Sequence, residues 1–70
     1  MPAKSDNVKL GEKIQKLRKN LGSSQEQLAE AIGISRTHMG HVEQGRKNPS
    51  LKTLQKLAKK LRVSVSDLFS

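Results

Sequence analysis

Apolar residues recur along this chain at helical spacing. Leu10, Ile14, Leu17 and Leu21 fall on one stripe, while Lys9, Lys13, Lys16 and Lys19 lie off it. The pattern predicts an amphipathic helix from Val8 onward, ended by Gly22 as a C-terminal cap. Ser24 followed by Gln27 has the spacing of a capping box. It opens a short helix with Leu28, Ala29 and Ile32 inward, which Gly33 breaks. Ser35 caps a third helix, preceded by Ile34, that turns Met39 and Val42 inward and closes at Gly45. After a basic loop from Arg46 to Pro49, Ser50 caps a fourth helix with Leu51, Leu54, Leu57, Ala58 and Leu61 on its apolar side. Ser64 to Asp67 repeats the capping-box pattern and opens a last turn carrying Val65, Leu68 and Phe69. There is no strand signal. The expectation is an all-α fold of five short helices, with residues 1–7 a frayed N-terminal arm and residues 8–70 one domain.

Composition narrows what such a fold can do. A chain of 70 residues buries only about 60% of its unfolded surface, so its core is thin. The absence of cysteine excludes disulfides and thiolate metal sites, and fits a reducing cytosol. His38 and His41 are three apart on a helix, but they lack carboxylate or thiolate support, so no metal and no cofactor is expected. No apolar run approaches the roughly 20 residues that span a bilayer, and Met1 to Asn7 lacks the apolar core of a signal peptide. The expected location is the cytoplasm. A single aromatic residue, Phe69, argues against stacking of single-stranded bases. Glu12, Glu26, Glu30 and Asp67 make no close carboxylate pair, and no serine stands beside a base, so an enzyme is not expected.

Charge points the other way, toward a partner. Fourteen basic against six acidic residues give a formal net charge of +8, which attracts nucleic acid first and anionic membrane second. The lysines are spread over several helices rather than set beside aromatics, which disfavours the membrane surface.

The most informative stretch is Gln25 to Gln44: a short helix, a glycine-centred turn, and a second helix of similar length. Ala29 is small where the helices cross, Gly33 supplies a positive φ, and Ile34, Met39 and Val42 plug the space between them. A helix-turn-helix needs these residue types in this order, and an ordinary αα-hairpin meets the same packing demands. Three runs carry more information: Ser24-Gln25-Glu26-Gln27-Leu28-Ala29, Gly33-Ile34-Ser35-Arg36-Thr37, and Val42-Glu43-Gln44-Gly45-Arg46-Lys47-Asn48-Pro49-Ser50-Leu51. With Leu54, Leu57, Ala58, Leu61, Val63 and Leu68, they closely resemble the phage-repressor (Cro/XRE) helix-turn-helix family over about Val8 to Phe69.

That resemblance implies a five-helix, lambda-repressor-like DNA-binding domain whose third helix, Ser35 to Gln44, lies in the major groove. Base contacts then fall to Arg36, Thr37 and His41, with His38 ranked lower; Arg36 suits the O6 and N7 of a guanine. Phosphates fall to Gln25 and Ser35 at helix starts, and to Lys47, Asn48, Ser50, Lys52 and Thr53 around the fourth helix. Arg18 and Glu43 match a family pair that forms a structural salt bridge. Two departures stand out: Gly40 replaces a common serine in the middle of the third helix, and Met39 replaces the usual isoleucine.

The function implied is a sequence-specific transcriptional regulator, in the sense of a repressor. It would act as a homodimer on a two-fold symmetric operator in double-stranded DNA. Val63, Val65, Leu68 and Phe69 are the candidate dimer surface, and the lid of the core is the competing reading of the same residues. Two alternatives share the DNA chemistry: an antitoxin-type adaptor for a protein partner, and a restriction–modification controller.

Overall fold

The computed structural model describes residues 6–70, and the first five of the seven arm residues lie outside them. Asp6 and Asn7, assigned to the arm by sequence, are already helical. Four α-helices follow in order: α1 Asp6–Asn20, α2 Gln25–Ile32, α3 Arg36–Glu43 and α4 Leu51–Leu61. A 3-10 turn, Ser66–Phe69, stands where a fifth helix is expected. Its bonds close over three residues, Asp67 N–H to Ser64 O at 3.1 Å and Leu68 N–H to Val65 O at 3.0 Å, and four residues do not sustain a wider turn. The Ser64 and Asp67 side chains each accept the other's backbone N–H, at 3.1 and 3.0 Å. Donation from the Ser64 backbone N–H, then from its side chain, holds the Asp67 carboxyl below its ordinary pKa.

The apolar stripes converge on one core. It is built from Leu10 and Ile14 of α1, Leu28, Ala29 and Ile32 of α2, Met39 and Val42 of α3, and Leu54, Leu57, Ala58 and Leu61 of α4. Leu68 completes it from the terminal turn, with Leu17, Ile34, Val63 and Val65 half-buried around the edge. Burying each large side chain stabilises such a domain by about 1.5–3 kcal/mol.

Three residues depart from the periodic reading. Leu21 is exposed because α1 ends at Asn20 and the following turn takes it off the stripe. Leu51, the first residue of α4, is 64% exposed; it precedes the turn that carries the helix onto the core, and Pro49 is buried. Leu68 is 1% exposed, so this candidate for the dimer surface is a core residue.

One close approach fixes how α1 meets α3. A Cβ at Gly11 would lie 2.6 Å from the carbonyl oxygen of Val42 and closer still to that of Glu43. Any side chain there would push the two helices apart, so glycine is required by packing. This contact sets the back of α3 against α1, and leaves the opposite side of α3 to solvent.

Candidate nucleic-acid interface

The α2–α3 unit is held by its turn. Gly33 adopts φ 78, the left-handed conformation that lets α2 stop while Ile34 N–H bonds back to Ala29 O at 3.0 Å. Ala29 is buried between the helices. Both helix starts are capped by serine: Ser24 Oγ accepts the Gln27 N–H at 3.0 Å, and Ser35 Oγ accepts the His38 N–H at 3.0 Å. Gln27 completes the capping box by accepting the Ser24 N–H through Oε1 at 2.9 Å.

The two sides of α3 differ sharply. Met39, Val42 and Glu43 are buried. Arg36, Thr37 and Gln44 are exposed, and His38, Gly40 and His41 are intermediate. Among the described residues, the side chains of Arg36, Thr37, His38, His41 and Gln44 take part in none of the side-chain hydrogen bonds or ion pairs. Four polar side chains of α3, and Gln44 at its C-cap, are therefore left without a partner within the described chain. Gln44, the C-cap residue, joins this set although the sequence reading passes over it; its place one turn beyond Gly40 and nearly two beyond Thr37 was the available signal.

Behind that face lies a buried polar network. Arg18 Nε donates to Glu43 Oε2 at 2.7 Å, and Arg18 Nη2 to Glu43 Oε1 at 3.0 Å, a two-pronged pair across α1 and α3. The side chains are 9% and 1% exposed, respectively. Arg18 Nη1 donates to Ser23 O at 2.9 Å, and Gln25 Nε2 donates to Glu43 Oε1 at 2.9 Å. No buried side-chain nitrogen or oxygen among the described residues is left without a partner. A buried charge is tolerable only when satisfied in this way. The network ties α1, α2, α3 and the turn after α1 to one carboxylate.

Gln25 is thus partly committed. One of its amide hydrogens goes to Glu43, and the other remains for a ligand. The basic loop and the start of α4 present Lys47, Asn48, Ser50 and Lys52 as exposed side chains, with Thr53 half-buried. Ser50 Oγ accepts the Thr53 N–H at 3.1 Å and donates to Thr53 Oγ1 at 3.0 Å, so the Thr53 hydroxyl hydrogen is left to donate elsewhere. Of the candidate dimer residues, Phe69 is exposed and Val63 and Val65 are half-buried against the core. His38 and His41 belong to no group of three or more potential metal ligands among the described residues. None of the described helices is long and apolar enough to cross a membrane.

Known proteins resemble this chain over most of its length. Residues 14–68 match the helix-turn-helix family HTH_3. The control protein C.MunI of a Mycoplasma species is 39% identical over 64 residues, covering 90% of this chain and 86% of that one. The crystal structure of the restriction-modification controller C.AhdI from Aeromonas hydrophila superposes with a TM-score of 0.87 at 42% identity, over 91% of this chain and 97% of that one. SinR, a master regulator of biofilm formation solved in complex with DNA, superposes with a TM-score of 0.81 at 34% identity, over 87% and 98%. Other relatives are longer: the chain spans 54% and 47% of two curated transcriptional regulators it matches. The chain belongs to the helix-turn-helix family.

Proposed function

We propose that this helix-turn-helix protein is a sequence-specific transcriptional regulator that binds double-stranded DNA through the outer side of α3. It acts in the sense of a repressor, as a homodimer on a two-fold symmetric operator, in the cytoplasm and without a catalytic step. The observation that carries this reading is the contrast across α3, whose inner side is fixed by the Arg18–Glu43 pair while its outer polar groups are left unpaired. The major groove admits one helix and displays a distinct donor and acceptor pattern for each base pair. Arg36, Thr37 and His41 supply base contacts, with His38 at the margin and Gln44 added. The remaining amide hydrogen of Gln25, the Ser35 hydroxyl, and Lys47, Asn48, Ser50, Lys52 and Thr53 hold phosphates.

Two copies are needed because a single module of this size buries limited surface on DNA. Val63, Val65 and Phe69 remain as the apolar residues for that contact. A more specific reading, a restriction–modification controller, is favoured by one observation: C.MunI and C.AhdI are matched over 86% and 97% of their lengths. A protein partner is the remaining alternative.

The test is selection from a random duplex library, followed by fluorescence anisotropy against scrambled DNA at near-physiological salt. A two-fold symmetric consensus bound about a thousandfold better than scramble supports the regulator. Weak, salt-sensitive binding without a consensus removes it, leaving only electrostatic attraction.

A further inference from the structure

Gly40 sits in the middle of α3, where glycine weakens a helix relative to alanine. Packing does not require it. A Cβ built there meets a single atom within 4 Å outside its own helix, the Oε1 of Gln25 at 3.9 Å, which is ordinary contact. The fold would accept alanine, so the missing side chain leaves a gap at the surface. Arg36, Gly40 and Gln44 follow one another at four-residue spacing, which places that gap between two exposed polar side chains in one row.

The floor of the gap has a definite polarity. Glu43 Oε1 already accepts from Arg18 Nη2, and it accepts again from Gln25 Nε2. A carboxylate that only accepts fixes which end of the amide faces it. Nε2 is turned to Glu43, and Oε1 is turned toward Gly40. Among the described residues no donor reaches that oxygen. An acceptor is held in place by a buried charge and uncovered by a glycine.

On duplex DNA the backbone offers acceptors, while the major-groove donors are the amino groups at N6 of adenine and N4 of cytosine. We propose that Gly40 and Gln25 form a base-specificity determinant, in which the gap at Gly40 exposes Gln25 Oε1 to the amino group of an adenine or cytosine. This inference rests on the major-groove placement of α3 proposed above. Gly40 is the residue that admits the base, and Gln25 is the residue that contacts it.

The experiment compares the full chain with Gly40→Ala and Gly40→Ser. Each is carried through duplex selection, anisotropy on single-base variants of the selected site, and a thermal melt. The wild type is expected to prefer adenine or cytosine over guanine or thymine on one strand at one position of each half-site. Gly40→Ala should raise the melting temperature by several degrees through helix propensity, yet reduce discrimination at that position about three- to tenfold. Gly40→Ser should lose the same discrimination, because its hydroxyl can donate to Gln25 Oε1. A rise in stability with a loss of specificity at one position is not what a structural glycine would produce. Variants that keep every wild-type preference overturn the inference and leave the regulator reading standing. A wild-type consensus with no such adenine-or-cytosine position overturns it as well. If the wild type selects no consensus at all, the regulator reading falls and takes this inference with it.

Discussion

The inner and outer sides of α3 solve opposite problems with the same eight residues. On the inner side, Met39 and Val42 fill the core and Glu43 is satisfied by three donors from Arg18 and Gln25. On the outer side, Arg36, Thr37 and His41 make no side-chain bond within the described protein. A helix of this length is marginal alone in water, so the outer groups can be presented in fixed positions only because the inner ones are anchored. Rigidity comes from behind, and the front is left free for the contacts proposed above.

That division predicts mutations of different kinds on the two sides. The largest effect is expected for Glu43→Ala, which leaves the Arg18 guanidinium buried without its partner and should cost about 3–5 kcal/mol of stability. A domain holding about 0.05–0.15 kcal/mol per residue would lose much of its margin, and urea titration would show it. Next comes Gly11→Ala, which drives a methyl group into the Val42 and Glu43 carbonyls and should cost about 1–3 kcal/mol in the same titration.

Arg36→Ala should leave the urea midpoint within about 0.5 kcal/mol of wild type, while costing about 1–3 kcal/mol of binding to the preferred duplex and relaxing one base pair. Lys47→Ala is the mildest change. It should weaken all duplexes alike and lower the slope of log affinity against log salt by about one unit. If Arg36→Ala unfolded the protein, or Glu43→Ala left it stable, the contrast between the two sides would be broken.

The sequence made the inner side more legible than the outer one. Serines at 24, 35 and 50, with apolar residues at helical spacing behind them, announce helix starts because capping and burial are local and periodic. Periodicity failed where a residue lay beyond a helix end, as for Leu21, or before its first full turn, as for Leu51. For Leu68 the spacing leaves dimer surface and core lid both open, because the last turn has too few residues to define a face. Gly11 was silent for another reason. Within a helical pattern, glycine carries no sign of what approaches it, and only the packing of α1 on α3 shows why it is there. The Gln25–Glu43 bond was also out of reach, since eighteen residues separate the partners and no spacing rule connects them.

The contact at Gly11 also has an evolutionary side. Position 11 strongly favours one residue, because even a methyl group meets backbone that must shift to admit it. The side chains at positions 36, 37, 41 and 44 make no hydrogen bond or ion pair within the described chain. Among descendants of a duplicated copy, drift would be confined to the second set and purged from the first. The same scaffold could then be readdressed one residue at a time, each intermediate remaining folded.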